Sequence, residues 1–224
     1  KITNINPTGY TYTTGNIASV ATPNAGKGIL LSAMSASQNA GLTIFNNSVS
    51  SIDGLGATVG QNEHAGIFIG NNYQNVKVYH NSINMTDNYS TATANIVTAG
   101  IGIGTGCTQL DIRNNVFVNG LTNTGAGTTP QSFAIYSQTA NTGFTTNNND
   151  YWASGSQGRL GFLTSNQLTL AAWQAATAQD ANSLSTDPLY TTSTLLIPTS
   201  IPMNNAGTNA LTGTVPKDIL FVNR

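Results

Sequence analysis

Charge is what this sequence has least of. Among 224 residues there are seven Lys or Arg and eight Asp or Glu, for a net charge of −1. Nucleic acids and anionic membranes are held by basic faces, so neither is expected as a partner. The single cysteine, Cys107, excludes an internal disulfide. No stretch approaches the roughly 20 apolar residues of a membrane span, and no membrane insertion is expected. The chain opens on Lys1 rather than Met and shows no signal-peptide pattern. The expectation is a processed or excised piece of a longer polypeptide with further domains. What is abundant is uncharged and polar: 29 Asn, 33 Thr and 23 Gly. Such compositions occur in extracellular β-rich repeat proteins and in disordered linkers. The periodic Ile, Val and Leu of residues 28–152 exclude the linker.

That periodicity has a fixed length. Leu42, Val76, Leu110 and Phe144 are 34 residues apart, and they open "LTIFNNSV", "VKVYHNSI", "LDIRNNVF" and "FTTNNNDY". A repeat of this length marks a stacked architecture. Within each repeat the apolar residues alternate with period two, which predicts strands. The predicted inward sets are Leu42/Ile44, Val76/Val78, Leu110/Ile112 and Phe144/Thr146, then Val49, Ile83, Phe117 and Tyr151, then Ile29/Leu31, Ile67/Ile69, Ile101/Ile103 and Ile135. Three short strands per repeat, stacked at about 4.8 Å, make an all-β parallel β-helix.

The same spacing lines up Asn47, Asn81, Asn115 and Asn149. Asparagine tolerates left-handed backbone, and its amide can bond to the Asn one repeat away. The column is predicted to be a structural ladder at a strand bend. His80 falls in the neighbouring column with Asn46, Asn114 and Asn148, where a turn role is expected.

These coils resemble right-handed parallel β-helix proteins of the pectate-lyase-like superfamily, of the bacterial secreted or cell-surface type. The tail extends the resemblance through "LAAWQAATAQDANSLSTDPLY" (170–190), "LLIPTSIPMNNAG" (195–207) and "VPKDILFVNR" (215–224). The resemblance implies the C-terminal part of a longer chain. Residues 1–169 are read as β-helix coils, and 170–224 as a C-terminal helix and capping segment of the same domain. Residues 170–179 carry helix formers, with Trp173 predicted to pack the helix over the last coil and protect strand edges.

Candidate binding residues lie on the outward columns. Phe45, Tyr79 and Arg113 are predicted to form an exposed aromatic–aromatic–cation strip, with Lys77 and Asp111 as a neighbouring ion pair. Stacked loops at 50–66, 84–100 and 118–134 bring Asp53 and Asp87 into register. Asp53, Asp87 and Lys77 are the candidates for catalysis, since glycosidases need two facing carboxylates and lyases of this fold use a basic residue. No metal ligand set and no cofactor are expected, Ca²⁺ being the one ion the resemblance admits.

Three functions fit. The leading one is a secreted or surface-displayed module that binds a polysaccharide or surface glycan, or mediates adhesion. The alternatives are a polysaccharide lyase or hydrolase and a passive spacer in a large surface protein. The fold alone does not choose among them.

Overall fold

The computed structural model describes residues 26–52, 57–58, 64–89, 96–125, 130–138 and 143–215. They are mostly β, with one α-helix, and the strands pair chiefly in parallel sheets. Thr43–Phe45, Lys77–Tyr79, Asp111–Arg113 and Thr145–Asn147 make one four-stranded sheet. Ser48–Ser50, Ser82–Met85, Val116–Asn119 and Asp150–Ala153 make a second. The third runs through Lys27–Leu31, His64–Ile69, Ile96–Ile103, Gln131–Ser137 and Gly158–Leu163.

Register follows the sequence period. Thr43 pairs with Lys77, Lys77 with Asp111 and Asp111 with Thr145. Ser48, Ser82, Val116 and Asp150 align in the second sheet. The third sheet keeps the 34-residue step only in its middle, as in Ile67↔Ile101↔Ile135. Its first step pairs Ile29 with Ile67, because residues 31–42 form a longer connection. Its last pairs Ile135 with Gly161, so a shorter connection returns the chain.

The inward columns form one apolar cluster that includes Val49, Ile67, Val78, Ile101, Ile112 and Phe117. Each fully buried Ile or Val contributes roughly 1.5–3 kcal/mol. Leu42 departs from expectation: it is 39% exposed, at the end of its column among the described residues. Phe68, Val97, Phe133 and Tyr136 form a second cluster on the opposite face of the third sheet. The stretches predicted as long loops also carry strand: Ile96–Ile103 begins inside 84–100, and Asn88–Tyr89 pairs with Thr122–Asn123.

The paired asparagines divide two tasks. Asn46, His80, Asn114 and Asn148 take positive φ, between 55° and 59°. The left-handed bend therefore falls one residue before the ladder column, correcting the prediction that one column does both. Another left-handed column, Gly41, Asn75, Gln109 and Gly143, precedes the same strands. Each three-residue strand is thus bent at both ends.

The second asparagine of each pair builds the ladder. Asn47 Nδ2 donates to Asn81 Oδ1, Asn81 Nδ2 to Asn115 Oδ1, and Asn115 Nδ2 to Asn149 Oδ1, each at 2.9 Å. The backbone N–H of each donor residue bonds to the same oxygen. Buried amides left without these partners would cost roughly 1–3 kcal/mol each.

The column continues into the tail. Asn149 N–H donates to Ser183 Oγ at 3.0 Å, again 34 residues on. Asp180 N–H donates to Thr146 O, and Leu184 N–H to Asn149 O. Helix α1, Leu170–Thr177, is N-capped by Thr169 and ends at Ala178 in left-handed backbone. Trp173 is fully buried, against Gly161 of the strand Gly158–Leu163, and its Nε1 donates to Asp180 Oδ2 at 2.8 Å.

Candidate functional site

The residues of the predicted strip do share one outward face, but they are not equally open. Phe45 is 47% exposed, whereas Tyr79 is 2% exposed. Tyr79 keeps its predicted register beside Phe45 and Arg113. Its ring is covered by Leu211 and Val215 of the C-terminal segment. The exposed two-ring strip is therefore not formed, because the tail folds back over the second ring. Arg113 lies over the Tyr79 ring at 5.8 Å.

The predicted Lys77–Asp111 pair is replaced as well. Asp111 is bound by the Arg113 guanidinium and by the Tyr79 hydroxyl, the latter at 2.6 Å. Arg113 is two residues along the same strand, on the same face, and presents a forked donor that a carboxylate accepts well. Burial, followed by Asp111, pushes the Tyr79 phenol up to about 12. Asp87 is exposed, Lys77 is half-buried, and Asp53 lies outside the described residues. Among the described residues no cluster of three or more His, Cys, Asp or Glu side chains could hold a metal ion.

The covering segment, residues 184–215, is the feature that shapes this surface. It leaves the repeat at Leu184 and runs back along the preceding repeats. Thr186 N–H donates to Asp150 Oδ1 at 2.9 Å. Asn84 Nδ2 donates to Ser193 O, and Asn148 Nδ2 to Ala206 O. Asn114 exchanges two bonds with Thr208, both at 2.9 Å. Leu211 and Val215 then reach Tyr79. The left-handed asparagines thus serve a further purpose: two of their amides fasten this strap.

Between strap and second sheet lies a groove of about 270 Å³. Its floor is the outward column Asn84, Val118 and Trp152, and its far wall includes Asp187 and Tyr190. Trp152 is half-buried, so part of the indole faces the groove. Its volume is just below the ~300–1,000 Å³ of drug-sized ligand sites. An aromatic face flanked by an amide and a carboxylate can stack on a sugar ring and bond its hydroxyls.

Beside the groove sits an unusual acid. Asp150 is 2% exposed, and its Oδ2 has no hydrogen-bond partner among the described residues. Burial raises its carboxyl from the ordinary range to about 7, with the charge of Asp187 adding to the effect. Burial and Asp150 also hold the Tyr190 phenol above its usual range.

Trp152, Asp187 and Asp150 are not among the predicted site residues. The alternation that places Tyr151 inward also places Trp152 outward, so the indole was legible. The strap that builds the opposite wall follows no repeat and gave no signal. Sequence comparison adds no further guide: no family model matches the chain, and no curated protein or solved structure shows significant similarity to it.

Proposed function

We propose that the chain is a right-handed parallel β-helix of the pectate-lyase-like kind, secreted or displayed on a cell surface, and that it binds carbohydrate. The β-helix reading is supported by three chiefly parallel sheets in which most repeats supply one strand to each, around one shared apolar interior. The binding reading rests on one observation, the groove floored by Trp152 and walled by Asp187. This moves the binding residues from the Phe45–Tyr79–Arg113 face to the strap side of the second sheet. Low net charge agrees with a ligand held by stacking and hydrogen bonds rather than by ion pairing.

The test is affinity electrophoresis of the full chain in gels containing neutral or acidic polysaccharides, together with product sizing. Retardation with intact polymer is expected, and Trp152→Ala should abolish it while leaving the circular dichroism spectrum unchanged. Retardation that survives Trp152→Ala places the site elsewhere. Shortened polymer would instead favour a lyase or hydrolase, and no interaction with any polymer would favour a spacer.

A further inference from the structure

The groove beside Trp152 carries charge of one sign only. Asp187 is the one charged residue in its lining, and the others are apolar, amide, hydroxyl or aromatic. None of the described basic residues lines it. Lys77 and Arg113 belong to the first sheet, where Arg113 holds Asp111. Lys27 lies over the Phe68 ring at 5.3 Å, and Arg159 donates to Ser156 O and Gly158 O. Asp187 is exposed, yet the chain around it is fixed. Its Oδ1 accepts the Leu189 N–H at 2.9 Å. On one side Thr186 N–H donates to Asp150 Oδ1, and on the other Pro188 O accepts from the Thr199 and Ser200 N–H groups. Asp150 lies near enough to feel the Asp187 charge, so the second acid on this side is of the same sign.

We propose that the groove takes uncharged sugars and rejects uronic acids, with Asp187 as the residue that sets this choice. The inference rests on the carbohydrate reading and narrows it. An uncharged sugar offers a ring face that stacks on the indole and hydroxyls that donate to a carboxylate. A uronate brings a carboxylate of its own, and the lining supplies neither Lys nor Arg to pair with it. Like charges set against each other across a binding surface are costly, and such repulsion creates specificity as much as attraction does. A net charge of −1 is too small to repel a polyanion from the whole molecule, so the rejection is assigned to the groove wall. The two parts of the chain divide the work. Trp152, from a repeat, supplies the stacking surface, and Asp187, from the strap, supplies the selectivity.

The test pairs each neutral polymer with an acidic twin: hydroxyethyl cellulose with carboxymethyl cellulose, and carboxyl-reduced polygalacturonate with the native polymer. The full chain is run in low-salt affinity gels containing each. The neutral member of a pair should bind about tenfold more tightly than its twin, the size of one like-charge contact near a protein surface. Asp187→Asn should shrink that ratio several-fold by strengthening the acidic member, whereas Asp187→Glu should keep it. In the unmutated chain, added NaCl should narrow the ratio through screening. Each readout is a ratio between two polymers, which a partly unfolded variant would not shift in this direction. Trp152-dependent binding of an acidic polymer as tight as that of its neutral twin, or a ratio that Asp187→Asn and salt both leave unchanged, would overturn the inference alone. No retardation by any polymer, or retardation indifferent to Trp152→Ala, would refute the carbohydrate reading and the inference with it.

Discussion

Replacing Asp150 by asparagine isolates the cost of one buried acid. The folded-state carboxyl titrates near 7, against 3.8 for an unperturbed one. Between these values the folded chain holds a proton that the unfolded chain has released. The sign follows directly: stability is greatest below about pH 4, falls as pH rises to 7, and is flat above it as far as this group is concerned. A separation of about three units corresponds to about 4 kcal/mol. The side chain is almost wholly buried, so no large discount for solvent screening applies. The amide introduced by Asp150→Asn cannot ionise, yet its oxygen can still accept the Thr186 N–H bond. Its NH2 takes the place of an oxygen that has no partner, leaving two buried N–H groups without acceptors, a cost of roughly 1–3 kcal/mol or more. Urea midpoints taken from pH 4 to 8 should therefore fall steeply for the native chain and much less for Asp150→Asn, the curves converging or crossing near neutrality. Hydrogen exchange at the Thr186 amide localises the effect, since the strap can open before the repeats do. Parallel pH profiles for the two proteins would refute the account of Asp150 as a buried, protonated acid.

Two further substitutions probe the scaffold. Asn115→Ala removes the acceptor of two Asn81 donors and the donor to Asn149, Val78 and Arg113. A loss of about 3–5 kcal/mol in urea unfolding is expected, and a loss below about 1 kcal/mol would show that the ladder is decoration. Gly161→Ala would place a Cβ 2.6 Å from Trp173 Cε3. Overpacking of this kind costs about 1–3 kcal/mol, so the variant should unfold earlier and with altered tryptophan fluorescence, and unchanged fluorescence would mean that the helix does not rest on that strand.

What could be read from the sequence is what repeats. The 34-residue columns assigned the inward residues from Ile44 to Tyr151 and the ladder correctly, because identical environments recur at identical offsets, and the run of helix formers at 170–179 placed the buried Trp173. Leu42 escaped because a column says nothing about its own end. The turn role expected of the column of Asn46, His80, Asn114 and Asn148 holds, but that the ladder column takes no left-handed bend was not legible, since both types of position accept Asn. The burial of Tyr79 could not be foreseen: alternation showed only that the ring leaves the interior, and the residues that cover it, Leu211 and Val215, sit more than 130 positions away outside any period. Asp111 was assigned to Lys77 by stacking, but a guanidinium on its own strand competes better.

The ladder also explains where a site could arise. Its amide bonds all point one way, from Asn47 toward Asn149. A directional chain must end on a group that accepts, and Asn149 N–H passes to Ser183 Oγ, whose hydroxyl donates to Asp180 Oδ1 at 2.5 Å. Thr146 and Trp173 donate to the other oxygen of the same carboxylate. A side chain that only accepts, ringed by donors, gives the column a terminus rather than another step. Past Leu184 the chain leaves the period and turns back across the outward face of the second sheet. That return encloses Asp150, covers Tyr79 and raises the wall opposite Trp152. The groove therefore lies between periodic and aperiodic chain, where local consistency is relaxed and binding chemistry can be placed.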